Sequence, residues 1–571
     1  MTTVRWRDRV GLAALAGYCA VSFLFFGLRL LLESGRQYIG QVDDPQIPIW
    51  SFAWWPHAIL HGENPFYTHA VWAPDGLNLT WTNANAGPAI LFAPLTWAVG
   101  PVASYNVAAL LAPAVSAWAA FLLCRHLTNA IWPSLVGGYI FGFSSYVLGH
   151  IAGELQLTAI FAIPLIALVI VRYVEGALTG RGLALRLGVL LAVQLLFGLE
   201  LAFTASLALL CGLIIAFAFV PDWRRRLRSM LVPLAGAYAL AAVLTSPFLY
   251  YALTGGKISA FIPPVGYRAD LLNIFLPTNL EAVGAGWAHT VVDHFPGNYT
   301  ERGAFVGPAV LVIVALFAWR RWRSPVGRFL LVSLLVTIYG SLGSELTVYG
   351  HTVFPLLTPF GHETLKLPGL GTTNVPLFNN TLPVRFMMYA SLICAVIVAL
   401  WTAARPAGAR VTRWGLPALA VLALVPNPYV STWATTFSIP SFFTSSAYRS
   451  CLPPNAIVLP EPVGQSGEAI LWQAANGFHF GLAGGRLTTS PPTTFMHPTT
   501  LQQISVGNQP VPDQTPLLRA YIQAKHVTNV IVDKRQSSIW APALNRIATP
   551  QDVGGVLLYD VGGRSLPCTK T

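Results

Sequence analysis

The chain has 571 residues, 54% of them hydrophobic and 10% charged. A soluble protein is about a quarter charged, so the composition excludes a wholly soluble protein and points to an integral membrane protein with many spans. The net charge of +12 does not imply nucleic acid. The arginines stand in short clusters between apolar runs, which is the pattern of positive-inside orientation.

In chain order, Arg5, Arg7 and Arg9 precede an apolar run from Val10 to Leu32 that is long enough to span a bilayer. No small-residue cleavage site follows, so it reads as an uncleaved signal anchor running outward. Residues 33–86 then form a first outer loop. Gly87 to Gly100 is apolar but interrupted by Pro88 and Pro94, and reads as a re-entrant or interfacial helix. Further spans are expected at about Val102–Cys124, Trp132–Leu148 and Leu155–Tyr173. Leu187 to Val220 reads as a helical hairpin that turns near Glu200. Others follow at Met230–Leu253, from Gly303 to Arg320, at Phe329–Ser344, at Phe386–Ala404 and at Trp414–Val430. Residues 254–303 and 345–383 are long outer loops. Arginines end each inward-facing span, among them Arg125, Arg181, Arg224, Arg320, Arg405, Arg410 and Arg413. Residues 1–430 thus form an all-α polytopic domain of about eleven membrane helices, with its N-terminus inside.

Residues 431–571 differ in character. Ala456–Pro460, Asn529–Asp533 and Gly555–Tyr559 are β-branched-rich strand candidates. Glu468–Asn476 and Pro516–His526 read as short helices, and Thr488–Thr500 as a Pro- and Thr-rich loop. A small extracytoplasmic α/β domain is expected. Cys451 and Cys568 bracket it, and export would permit a disulfide between them. Cys19, Cys124, Cys211 and Cys394 lie in expected spans and read as small packing residues.

The first outer loop carries the densest signal. It opens on Asp43 and Asp44 just past the first span. Adjacent carboxylates at the water–lipid boundary can take a proton from a hydroxyl or hold a divalent cation, and each raises the other's pKa. Alone, the pair reads first as a solvated loop. Ile47 to His61, with Trp50, Trp54, Trp55 and Pro56, reads as a helix lying in the interface. His57 and His61 share its face at a spacing that can hold a metal, or are ordinary interfacial histidines. Elsewhere on the outer face, His150 and Glu154 sit at a short turn and Glu200 at the hairpin turn. Arg385, an arginine outside, is placed to hold a lipid phosphate or to anchor its helix. Arg268, Asp270, Asp293, His294, Glu301 and Arg302, with His362, Glu363 and Lys366, are weaker candidates for acceptor binding. Asn78, Asn298 and Asn379 begin glycosylation-type triplets.

The order of these features resembles the polytopic GT-C glycosyltransferases. One span leads to an outer loop with an acidic pair, Asp43-Asp44-Pro45, then to Ala53-Trp54-Trp55-Pro56-His57-Ala58 and Asn64-Pro65-Phe66-Tyr67, and then to a proline-broken segment and Cys124-Arg125-His126-Leu127. The likeness is to uncharacterised bacterial members and covers residues 1–400 in architecture. It is specific over Asp43–Asn106 and Gly137–Leu157. In that fold the first-loop acid is the usual catalytic base, which implies Asp44 or Asp43, with Asp44 favoured by its place before Pro45. His150, Glu154, Glu200, His57 and His61 are then supporting or acceptor-side groups, and Arg385 the donor-phosphate group.

Nucleotide sugars are not available outside the cytoplasmic membrane, so the implied donor is a sugar on a polyprenyl phosphate. The acceptor would be an extracytoplasmic glycan, lipid or protein. No cofactor motif is present: there is no Walker loop, no dinucleotide-binding glycine motif and no HExxH. A divalent cation is a candidate. The implied setting is the bacterial cytoplasmic (inner) membrane, with membrane lipid as a partner. The rival reading is a lipid or polysaccharide transporter, or a non-catalytic envelope-assembly protein on the same scaffold.

Overall fold

The computed structural model describes residues 9–31, 36–255, 266–358, 360, 365–367, 371–373, 381–404, 409, 411–462, 467–487, 495, 515–562 and 568. Arg5, Arg7, His362, Glu363, Asn379, Arg405, Arg410, most of residues 488–500 and the Lys366 side chain lie outside the described residues.

The chain packs into two compact units, each discontinuous in sequence. The first comprises Met1–Leu32, Val107–Ser246 and Ile262–Ala434; the second Glu33–Asn106, Pro247–Phe261 and Thr435–Thr571.

The first unit is helical. Among the described residues, 6 helices of the chain are long and apolar enough to cross a membrane: Arg9–Leu31, Pro101–Thr128, Leu155–Val174, Gly180–Phe197, Leu199–Phe219 and Pro383–Ala403. Pro221–Ser229 and Leu231–Leu244 pass the same test as one span bent by 50°. Pro325–Ser341 and Val411–Ala423 are apolar but shorter. The expected hairpin near Glu200 forms, with its break at Gly198 between Gly180–Phe197 and Leu199–Phe219. Leu183, Leu187 and Ala237 are fully enclosed where Gly180–Phe197 packs on Leu231–Leu244. The most enclosed span is Pro383–Ala403, with 83% of its apolar window buried. It packs on Ile131–Gly142, Pro325–Ser341 and Pro308–Arg321. A single 3-10 turn, Pro383–Phe386, starts it and carries Arg385.

The second unit is built on a five-stranded mixed sheet. Its order across the sheet is Gly481–Leu482, Ile457–Glu461, Asn529–Asp533, Val556–Asp560, Pro550–Val553. The first three strands are parallel and the last two antiparallel, with Asn529 paired to Val458 on one side and Asp560 on the other. All five residues of Asn529–Asp533 are buried, as a central strand covered on both faces requires. Helices Ala469–Ala475 and Thr515–Ala524 accompany the sheet. Cys451 and Cys568 are joined by a disulfide with a Cα separation of 4.8 Å, while Cys19, Cys124, Cys211 and Cys394 are free.

Residues of the first outer loop extend this sheet. The Ala73 amide donates to the Leu482 carbonyl, and the Leu482 amide to that of Ala70 (2.9 and 2.8 Å). Gln46–His61 is a helix, but its tryptophans face protein rather than serving as the expected interfacial anchors. Trp50, Trp54 and Trp55 are almost wholly buried within the unit. Trp50 stacks on Trp54, meets Phe478 edge-on and donates from Nε1 to Gln473 Oε1 at 2.8 Å. A run of tryptophans beside proline has the same sequence signature at a lipid surface and in an aromatic core; here protein partners fill both the apolar and the polar needs of the rings. Gly87–Gly100 forms two short helices, Ala86–Leu91 and Ala93–Val99, broken before Pro94.

Candidate functional site

In the first unit, four chain segments bring charge to one place. Ser144 caps a short helix, Ser145–His150, whose end presents His150. Glu154 stands just before Leu155–Thr158, one turn on. Glu200 lies in the first turn of Leu199–Phe219, and Arg385 in the turn that starts Pro383–Ala403. Glu301 comes from the long loop. Asn298 Oδ1 accepts from the Glu301 amide (3.1 Å) and the Thr300 hydroxyl (2.7 Å), which fixes the loop there. The loop approaches so closely that glycine is needed on both sides: a Cβ at Gly149 would strike the Thr300 carbonyl, and one at Gly303 the backbone of Tyr146.

The result is a polar cluster with a defined order. Arg385 Nε donates to Glu301 at 3.0 Å to Oε1 and 3.3 Å to Oε2. Arg385 Nη2 bonds Glu301 Oε1 and reaches Glu154 Oε1 at 3.3 Å; Nη1 bonds Glu200 Oε2. His150 Nδ1 lies 2.7 Å from the Tyr146 carbonyl, so that nitrogen carries a proton. Its Nε2 faces Glu301 at 3.4 Å and Glu154 at 3.7 Å. One donor atom each from His150, Glu154 and Glu301 falls within 4.8 Å of the others, the one such group among the described residues. His150 and Glu301 are buried, whereas Glu154 and Glu200 keep 18% and 24% of their side-chain exposure.

The electrostatics follow from the count. Three carboxylates meet one guanidinium, so negative charge is in excess even if His150 is protonated. Burial would lower the His150 pKa, but Glu301 and Glu154 raise it above its ordinary value. Burial pushes the Glu301 carboxyl up, but Arg385 and His150 outweigh it and hold the group at about 2. A histidine with Nδ1–H on a backbone carbonyl and Nε2 turned to two carboxylates is the donor set of an N/O cation site with its tautomer already set.

The acidic pair forms a second cluster, inside the other unit. Asn106 pins the chain just before it: Oδ1 accepts from the Ile39 amide (2.9 Å) and Nδ2 donates to the Gln37 carbonyl (3.0 Å). Asp43 and Asp44 then precede the helix at Gln46, their carbonyls accepting from the Gln46 and Ile47 amides. Arg486 holds both side chains, Nη1 at 3.2 Å from Asp43 and Nη2 at 3.3 Å from Asp44. Gln41 Nε2 donates to Asp44 Oδ2 at 2.5 Å. Partial burial raises the Asp43 pKa, Arg486 opposes the rise and Asp44 adds to it.

Other expected residues lie elsewhere. His57 and His61 stack face to face, ring centres 4.1 Å apart, with Glu63 at 3.8 Å from His57. Stacked rings do not converge on one ion. Arg268 holds the Glu345–Val348 and His351–Pro355 hairpin through Thr347, Thr352 and Glu345. Asp270 accepts from the amides of Leu272, Tyr349 and Gly350. Asp293 pairs with Arg302, and His294 stacks on Tyr349. Among the described long-loop charges only Glu301 joins the His150 cluster, and Arg486 had no sequence signal at all.

Helical architecture and site can now be set beside solved structures. The chain is similar to the arabinofuranosyltransferase AftD from mycobacteria, with 15% identity, a TM-score of 0.59 and coverage of 99% of this chain. It spans 40% of that protein's length. It is also similar to the Archaeoglobus fulgidus oligosaccharyltransferase in complex with Zn and sulfate, with 12% identity, a TM-score of 0.51 and coverage of 96% of this chain and 73% of that one. The fold is therefore that of the GT-C membrane glycosyltransferases. No curated protein sequence matches. The chain belongs to the family described as "Domain of unknown function (DUF6311)", whose model matches residues 14–365.

Proposed function

We propose that the protein is an inverting membrane glycosyltransferase that moves a sugar from a polyprenyl-phosphate donor to an acceptor outside the cytoplasmic membrane. The observation that carries this reading is the His150–Glu154–Glu301 group, with His150 and Glu301 buried and Glu154 partly exposed, negative in balance and tautomerically set within a GT-C fold. Transfer requires the acceptor hydroxyl to attack the anomeric carbon while the bond to the lipid phosphate breaks. The phosphate leaves with the electron pair, and the hydroxyl proton passes to a base. A divalent cation, held by His150, Glu154 and Glu301, would neutralise the departing phosphate.

Arg385 takes a positioning role in this reading. Its guanidinium is committed to Glu301, Glu154 and Glu200, and an incoming phosphate would meet those carboxylates. It gathers the carboxylates and compensates part of their charge, in place of the phosphate clamp expected from sequence. The base role stays with Asp44 or Asp43, as the first-loop position implies. Arg486 favours the ionised, proton-accepting form of Asp43 against the rise that burial causes. We further propose the orientation expected from the arginine clusters, with about eleven spans, the N-terminus inside and residues 431–571 outside in the bacterial inner membrane.

The test is the envelope glycan profile of a deletion strain complemented with the wild type, Asp44→Asn or Asp43→Asn at equal protein levels. A glycosyltransferase loses its product with at least one of the two. Full product from both variants would favour a transporter or assembly protein and overturn the enzyme reading.

A further inference from the structure

The first unit contains a second concave site made from different chemistry. A cavity of about 510 Å³ lies between the 279–299 loop and the turn at 427–432. That volume lies within the usual range of small-molecule sites. Its polar lining includes Asn279, His289, Tyr299, Asn427, Tyr429 and Thr432, with no carboxylate, lysine or arginine among the described lining residues.

Hydrogen bonds tie its two walls together. The Asn427 amide donates to the Leu280 carbonyl at 2.7 Å, and Asn427 Nδ2 to the Asn279 carbonyl at 2.8 Å. The Ala282 amide donates to the Val425 carbonyl, also at 2.8 Å. Asn427 Oδ1 accepts from the Tyr429 amide (3.0 Å), and its carbonyl accepts from buried Trp433 (2.8 Å). The backbone under Tyr429 is thus fixed while its ring is 88% exposed. The Thr432 hydroxyl, in the same wall, is enclosed and has no hydrogen-bond partner among the described residues. Such a group is costly to leave unsatisfied.

The lining favours one class of ligand. A phosphate or uronic acid is best held by arginine or lysine and a metal ion by carboxylates, and the described lining offers neither; it mixes polar groups with the apolar Leu280 and Val430. A neutral saccharide needs what is present: polar side chains for its hydroxyls, and an exposed aromatic face for the C–H face of its ring. We infer that this cavity is a binding subsite for an uncharged glycan, with Tyr429 as stacking platform and Thr432 as hydrogen-bond partner. The inference deepens the transferase reading, on which its role as acceptor subsite rests, by naming the acceptor class.

The test uses the full chain in nanodiscs and ligand-observed saturation-transfer NMR. The probes are neutral glucan and arabinan trisaccharides, with a galacturonan trisaccharide as acidic counterpart. At least one neutral trisaccharide should bind, and the acidic one at least tenfold more weakly. Tyr429→Ala and Thr432→Val should each weaken neutral binding at least fivefold with unchanged Tm, the first because the ring is exposed and the second because it preserves shape. Asp44→Asn should bind like the wild type, so a failed transferase assay and a failed subsite are told apart. No signal from either neutral sugar, or wild-type binding by both cavity variants, would overturn the inference.

Discussion

The two charged clusters share one device and differ in balance. In each, a single arginine forks onto carboxylates: Arg385 onto Glu301, Glu154 and Glu200, Arg486 onto Asp43 and Asp44. The first is nearly enclosed and adds an imidazole whose Nε2 faces two carboxylates. The second keeps 31% and 35% exposure on its aspartates. Enclosure with surplus negative charge suits a cation and punishes disruption. Partial exposure leaves a carboxylate free to exchange protons, and makes its arginine cheap to lose.

That contrast can be broken first at the arginines. Arg385→Met should destabilise the chain by about 3–5 kcal/mol, because it leaves buried carboxylates uncompensated. Arg486→Met should cost about 1 kcal/mol or less, since solvent screens the aspartates. Thermal unfolding of the two variants in nanodiscs would measure both, and equal Tm losses would remove the distinction.

The next effect is on chemistry. Glu301→Gln should lower sugar transfer on the order of 10²–10³-fold, the usual loss of one group that stabilises developing charge. Asp44→Asn, which removes the proposed general base, should lower it on the order of 10²-fold or more. Asp43→Asn should lose less, and the reverse ranking would assign the base to Asp43.

The smallest effect is on pH dependence. His150 is raised on folding, so its contribution is present below the unfolded value of about 6.5 and is lost as pH rises through the folded one. Glu301 is lowered, so its contribution is present above about 4.3 and is lost as pH falls toward about 2. The contribution of these two groups to Tm should be flat between those limits and fall on either side. His150→Gln should remove the alkaline fall and spare the acid one.

Much of the architecture was legible because it is local. Arginine clusters and apolar runs located the helices, the break near Glu200 fell at Gly198, and the strand at Asn529–Asp533 was readable from β-branched residues alone. The unreadable parts are long-range. Nothing near Arg486 points to an acidic pair whose Asp44 stands 442 residues earlier, and nothing in the 254–303 loop separates Glu301 from Asp293. Both are selected by packing, the latter by glycines that let one loop reach another. Trp50, Trp54 and Trp55 misled because a lipid interface and an aromatic core ask for the same residues. The change in composition near residue 430 marks a real shift in character, but it carries no sign that residues 33–106 pack with the C-terminal segment.

The most direct measurement is Mn²⁺ binding to the purified full chain in nanodiscs at pH 7, followed by calorimetry. One saturable site is expected, weakened at least a hundredfold by Glu301→Gln and by His150→Gln, and untouched by His57→Gln. Absence of saturable binding, or binding that survives both cluster variants, would contradict the assignment of His150, Glu154 and Glu301 as a cation site.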